Sequence, residues 1–212
     1  MALSNTVIVD YGLGNLRSVA GATAEVGGKP EVTADLDAIK RAERIILPGV
    51  GAFPVAAKYL ETSGIGSALI AAAGQGVPIL GICLGMQLLF DRGNEFGWSN
   101  GLGLIQGDVL PVLSADEADD LRGTHIGWRP LNFPSSERST PLFNGIGGGD
   151  SFYFVHSFSA HTNEDRNVLA TVSYGTKYLV VAVSEHNVMG VQFHPEKSGP
   201  SGLRVLDNFI HV

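Results

Sequence analysis

The chain is 212 residues long, 44% hydrophobic and 17% charged. That suits one large domain over residues 1–212 with a sizeable core, and it excludes a disordered chain. Its 14 basic and 21 acidic residues give a formal charge of −7 without any basic run or stripe, which argues against a partner recognised through a phosphate backbone.

The first ten residues place no basic side chain ahead of their apolar stretch, so they do not read as a signal peptide. Thr6-Val7-Ile8-Val9 is a β-branched run that ends in Asp10-Tyr11-Gly12, the pattern of a buried strand and its turn. Leu16, Val19, Ala20, Thr23 and Val26 are spaced for one helix face, closed by Gly27-Gly28. Arg44 to Leu47 repeats the strand, Pro48-Gly49-Val50-Gly51 the turn, and Ala52 to Leu60 the helix, which continues from Ile65 to Ala73. Val77 to Ile82 predicts a third strand running into Cys83 and a helix over Leu84 to Phe90. The apolar stretch from Val77 to Phe90 is interrupted by Gly81, Gly85 and Gln87 and falls short of the about 20 residues a membrane span needs. Strand, turn and helix three times over predict an α/β fold with a mostly parallel central sheet and helices on both faces.

The second half is β-rich. Strands are expected over Leu104–Leu113, Ile126–Phe133, Phe152–Val155, Val168–Tyr174, Tyr178–Ser184 and Val188–Phe193, antiparallel at a sheet edge or in a subsidiary layer. Tyr174-Gly175-Thr176 and Glu185-His186-Asn187 are hairpin turns, and a last helix is expected over Gly202–Ile210. Asp116 to Asp120 reads as a solvated acidic loop.

Cys83 is the only cysteine. It can form no internal disulfide and lacks partners for structural zinc, and it points to a reducing compartment; the absence of targeting signals points to the cytoplasm. It stands in Gly81-Ile82-Cys83-Leu84-Gly85, where an apolar strand meets a helix. This is the cysteine form of a nucleophile elbow, whose strained backbone needs small neighbours two residues away. The following helix would turn its amides and its positive end toward the sulfur and favour thiolate. A cysteine packed as a small hydrophobe is the competing reading; the flanking glycines favour the reactive one.

A base and an oxyanion site would complete such chemistry. Among six histidines, His194 ends an apolar strand, and Pro195 biases it toward extended backbone. Glu196, two residues on, would share its side and orient the imidazole. Taken alone, the pair reads equally well as a strand-end histidine beside a solvated acid. The amide of Leu84 is one oxyanion donor, and Val50 or Gly51 in the glycine turn supplies the other. Both turns would lie at the carboxyl edge of the sheet, where ligands bind in open α/β folds.

Leu47-Pro48-Gly49-Val50-Gly51, Gly81 to Gln87 and Gln192-Phe193-His194-Pro195-Glu196, in this order, resemble the class I glutamine amidotransferases. Val9 to Leu16, His125-Ile126-Gly127-Trp128, Tyr153 to Ser157 and Phe193 to Ser198 are similar to the glutaminase-subunit branch that serves imidazole glycerol phosphate synthases. The resemblance covers nearly the whole chain. It implies a flavodoxin-like domain that pairs as a heterodimer with a (β/α)-barrel cyclase in histidine biosynthesis. It makes Cys83 the nucleophile, His194 the base and Glu196 its orienter. L-glutamine would lie near Gly51, Gln87 and Glu95, with the backbone of Ser157 and Phe158 in reach. Asn15, Trp128, Tyr153 and Lys197 match positions at or near the subunit interface. Arg129 stands where the family usually has Asn, and Asp116 to Asp120 has the look of an insertion. No metal, no organic cofactor, no nucleic acid and no membrane are expected. Glutaminase subunits of other pathways and a non-catalytic regulatory subunit are the alternatives.

Overall fold

A computed structural model describes residues 5–112, 123–134 and 140–212. The acidic stretch Asp116 to Asp120, and Leu113 at the end of an expected strand, lie outside them.

The first half is a set of parallel strands. β1 (Asn5–Val9) lies between β2 (Lys29–Thr33) and β3 (Arg44–Gly49), and β3 pairs with β4 (Ile79–Cys83). Alternation along the strands supplies two cores. Val7, Val9, Ile45, Leu47 and Ile79 face α2 (Leu36–Lys40), α3 (Phe53–Ser63) and α4 (Ile65–Gly74). Ile8, Ile46, Leu80 and Ile82 face α1 (Leu16–Glu25) and α6 (Gly199–Ile210). The strands are therefore apolar on both faces, which explains their unbroken hydrophobic runs.

Two elements here were not legible. β2, Lys-Pro-Glu-Val-Thr, is an edge strand and mostly exposed. An edge tolerates Pro30 and charge, so its composition resembles a loop. α2 has five residues and one buried side chain, Ile39, and is started by Asp35, whose carboxylate accepts from the Ala38 amide at 2.7 Å.

The helix after Cys83 is shorter than expected. α5 is Leu84–Leu88, and Phe90 begins β5 (Phe90–Asn94), which pairs with β6 (Trp98–Asn100) and β7 (Ile105–Pro111). Arg92 and Asp108 join across β5 and β7 at 2.8 Å. Tertiary pairing overrides helix propensity here. β10 (Phe158–Thr162), also not foreseen, pairs with β7 and β12 (Lys177–Glu185). β11 (Val168–Tyr174) and β13 (Val188–Val191) flank β12 through the two expected hairpins. β8 (His125–Pro130) stops at Pro130, short of Phe133, and forms a separate two-stranded sheet with β9 (Ser151–His156). α6 starts at Gly199, three residues early, because Pro200 fits a first helical turn whose amide has no partner to lose.

Among the described residues the large sheet has the order β2-β1-β3-β4-β13-β12-β10-β7-β5-β6, with β11 beside β12. β13 lies parallel to β4, with Val191 opposite Ile82. The end of the chain thus returns to the centre of the sheet, and the carboxyl ends of β3, β4 and β13 lie side by side.

Candidate active site

Cys83 closes β4 with φ 55° and ψ −111°. A positive φ on a side chain with a Cβ costs about 1–3 kcal/mol and persists where the surroundings enforce it. Both flanking glycines are required. A Cβ on Gly81 would approach the Gly85 carbonyl and the Met86 backbone at 2.7 Å, and a Cβ on Gly85 would overlap the Leu47 carbonyl. Leu84, the residue after the sulfur, is the first residue of α5, so its amide is one of those a helix start leaves unpaired. With five residues, α5 has a smaller dipole than the seven-residue helix expected.

His194 follows the end of β13, which stops at Val191 rather than Phe193. Its backbone is extended, at φ −98° and ψ 97°, as its place before Pro195 requires. Glu196 is not extended: Pro195–Lys197 is a 3₁₀ turn. That turn, rather than strand alternation, brings the Glu196 Oε1 to 2.9 Å from His194 Nδ1. Both side chains are buried, at 3% and 1% exposure. The His194 amide donates to the Tyr153 carbonyl at 3.1 Å, and the Ser198 hydroxyl donates to the His194 carbonyl at 2.6 Å. Burial would depress the pKa of the imidazole. Hydrogen bonds to Cys83 and Glu196, and the negative charge of both, outweigh it and lift the value to about 9.

These groups face a cavity of about 370 Å³ that also borders Val50, Gly51, Leu84, Gln87, Glu95, Ser157 and Phe158. Cys83, His194 and the candidate oxyanion and substrate residues thus share one hollow, and Glu196 stands behind His194. A larger hollow of about 440 Å³ lies between α3, α4 and β6 and contains none of them. Gly51 has φ 110° with open space where a Cβ would stand, so the turn after β3 has room to rearrange. Glu95, between β5 and β6, accepts from the Phe53 amide at 2.7 Å with Oε2. That places a carboxylate at the start of α3, where the dipole favours it. The Phe158 carbonyl is occupied by Gln87 Nε2 at 3.2 Å and His156 Nδ1 at 2.8 Å. The Ser157 carbonyl accepts from the Val112 amide at 2.9 Å. The carbonyls of both residues whose backbone was expected within reach of glutamine therefore already have protein partners.

Residues without an assigned part also border the hollow: Thr124, Val155 and His156. Thr124 and Ser157 share a 2.8 Å hydroxyl bond. His156 pairs with buried His125 at 2.8 Å. Since a carbonyl only accepts, His156 must carry its proton on Nδ1, and His125 must donate from its own Nδ1 to His156 Nε2. Burial drives both pKa values down to about 4. Their sequence signal was present, because His125 and His156 stand in the segments that carry the resemblance; their pairing was not. Gln192 and Tyr11 are the other residues sequence reasoning passed over. Among the described residues no group of three His, Cys, Asp or Glu side chains is placed to hold a metal ion, and no helix is long and apolar enough to cross a membrane.

Three of the four residues expected at an interface gather beside the hollow. The Trp128 and Tyr153 rings are 6.0 Å apart, and Lys197 Nζ stands 6.0 Å from the Tyr153 ring centroid. Trp128 is 51% exposed. Asn15 stands at the start of α1, with its side chain accepting from the Ser18 hydroxyl at 3.0 Å. Arg129 donates to the Trp128 carbonyl at 2.8 Å and is exposed.

The family model described as glutamine amidotransferase class-I matches residues 7–212. The imidazole glycerol phosphate synthase subunit HisH of Moorella thermoacetica is 45% identical over 202 residues, 95% of this chain and 92% of the relative. The subunit of the same name from Lactococcus lactis is 40% identical over 208 residues, 98% of each chain. Among solved structures, a chain of PurLQS from Thermotoga maritima matches at a TM-score of 0.74 with 23% identity, covering 99% of this chain and 98% of that one. At that identity the likeness concerns the fold.

Proposed function

We propose that this chain, which belongs to the class I glutamine amidotransferase family, is the glutamine-hydrolysing subunit of an imidazole glycerol phosphate synthase. The observation that carries the reading is the meeting of Cys83, His194 and the 50–51 turn around one hollow, with Glu196 bonded behind His194. Near-full-length relatives named as the HisH subunit at 40–45% identity support the choice of pathway.

The chemistry follows from the groups present. The Cys83 thiolate attacks the side-chain amide carbon of L-glutamine. Negative charge builds on the amide oxygen, toward the amides of Leu84 and of Val50 or Gly51. The protonated His194 gives its proton to the departing nitrogen, which leaves as ammonia, and a thioester remains. Neutral His194 then takes a proton from water, the hydroxide adds to the thioester, and glutamate leaves as the Cys83 thiolate re-forms. Glu196 keeps the imidazole in register and stabilises its charged form. Gln87 Oε1 has no protein partner among the described residues, and Glu95 uses one oxygen on Phe53. These two atoms suit the ammonium end of glutamine.

Ammonia released into water becomes unreactive ammonium, so its formation has to be coupled to its use. The partner in this reading is a (β/α)-barrel cyclase, bound as a heterodimer at the face carrying Trp128, Tyr153 and Lys197. It would react the ammonia with a phosphoribulosyl-formimino intermediate, splitting it into imidazole glycerol phosphate and aminoimidazole carboxamide ribotide. The backbone bond from His194 to Tyr153 ties that face to the base. The test is glutamate release with and without the cyclase and its ligand. Low release by the isolated chain and strong release by the liganded complex are expected. Full activity of the isolated chain would refute the coupling, and no release in either state would refute the glutaminase.

A further inference from the structure

We propose that Gln192 is a further catalytic residue: its side-chain amide donates a hydrogen bond to the Cys83 sulfur and holds it as the thiolate. Gln192 is fully buried, and its Nε2 lies 3.6 Å from Cys83 Sγ. The catalytic part of this rests on the glutaminase reading above; the hydrogen bond itself does not.

The orientation of the amide is the decisive point, because reversing it would set an oxygen against the sulfur. A backbone carbonyl settles it. The Phe158 oxygen can only accept, so the Gln87 atom 3.2 Å from it is the amide nitrogen. That nitrogen also lies 3.0 Å from the Gln192 side chain, which must present its oxygen there. The remaining Gln192 atom, facing the sulfur, is therefore the nitrogen. Turning Gln87 over would set its oxygen against two other oxygens, and turning Gln192 over would set two N–H donors face to face. His156 donates to the same Phe158 oxygen at 2.8 Å and holds it from the other side.

The placement follows from the sheet. β13 runs parallel to β4 with Val191 opposite Ile82, so Gln192, the residue just past β13, and Cys83, the last of β4, are neighbours. Gln192 then stands 3.6 Å from the sulfur, which shares its hollow with His194. A donor bonds an anionic sulfur more strongly than a thiol. Gln192 thus stabilises the nucleophile before attack and the same thiolate when it leaves the thioester. In between, the sulfur is neutral and the bond is weak. Gln87 joins this bond to the hollow, since its Nε2 holds Gln192 and its Oε1 has no protein partner among the described residues. A substrate ammonium on that oxygen would polarise the chain toward the sulfur.

The sole cysteine makes the test direct. Alkylation of Cys83 by iodoacetamide is followed against pH in the parent chain, in Gln192→Met, which keeps bulk and loses the donor, and in Gln192→Glu, which keeps the acceptor for Gln87. The midpoint should rise by about one pH unit in the first and further in the second. Glutamate release by the cyclase complex should fall roughly tenfold in kcat with little change in KM. In the parent chain, the Gln192 side-chain amide protons should titrate by NMR with the alkylation midpoint, a readout that needs no variant. Unmoved midpoints in the folded variants, or amide protons that do not follow the thiol, overturn the proposal. Moved midpoints without glutamate release from the parent complex would leave the bond standing and refute the glutaminase instead. Glutamate release with unmoved midpoints would refute Gln192 alone.

Discussion

The hydroxyl of Tyr11 occupies the space in which Gly49 would carry a Cβ. Gly49 ends β3 opposite Cys83, so this contact lies beside the 50–51 turn, which carries the proposed second oxyanion donor. The hydroxyl is buried without a hydrogen-bond partner among the described residues. Its pKa is raised, first by burial and then by the charge of Cys83. Tyr11→Phe removes an unsatisfied polar group and should stabilise the fold by about 1 kcal/mol, read as a denaturant midpoint moved up at unchanged slope. Gly49→Ala should displace the turn and cost glutaminase activity in the complex.

Gly85→Ala places a methyl on the Leu47 carbonyl, in a strand with no room to move. A loss of at least about 3 kcal/mol is expected, measured by chemical unfolding. Gly74→Ala, whose Cβ would meet nothing within 4 Å, serves as the helical control and should be neutral or stabilising.

Stability should peak near pH 6.5. His125 and His156 have pKa values lowered to about 4. Their contribution is complete above the unfolded value near 6.5 and is lost as pH falls toward 4, where the unfolded chain binds more protons. His194 is raised to about 9. Its contribution is complete below about 6.5 and is lost as pH rises through about 9. Unfolding free energy measured from pH 4 to 10 should therefore rise and then fall. Glu196→Gln should shrink the alkaline limb and lower the His194 NMR titration midpoint. The same substitution should reduce kcat by roughly 10²- to 10⁴-fold.

Cys83→Ala should abolish glutamine-dependent turnover of the complex with the cyclase while sparing turnover on ammonium salts. Loss of both would mark Cys83 as structural.

Trp128→Ala should weaken cyclase binding roughly tenfold or more, as loss of an exposed aromatic anchor does. Its ring is half exposed, so unfolding stability should change by less than about 0.5 kcal/mol. Isothermal titration and chemical unfolding separate the two.

The apolar runs of β1, β3 and β4 were legible because they are buried on both faces, and the two hairpins because their turn residues are distinctive. The Cys83 elbow was legible through its glycines, whose need is steric: local for Gly81, and set by the Leu47 carbonyl of the adjacent strand for Gly85. β2, β5 and β6 were not, since edge strands and strands with charge or glycine lack the alternation that marks a half-buried strand, and β10 was not, since two successive buried small residues, Ser159 and Ala160, break its alternation. The 3₁₀ turn at Pro195–Lys197 was also missed, and the Glu196 contact was expected from strand alternation that the backbone does not follow.

By itself the sequence determined the kinds of groups available: one thiol in a strained turn, a histidine held extended by the proline after it, and a glycine turn free to rearrange. These depend on bonded neighbours within a few residues. Only the tertiary structure decided that β13 inserts beside β4. That non-local pairing puts Gln192 against the sulfur, brings His194 to the same hollow as Cys83, and sets the Trp128–Tyr153–Lys197 cluster behind His194. Strand order depends on which apolar faces bury one another across more than a hundred residues of chain, and no short segment carries that information.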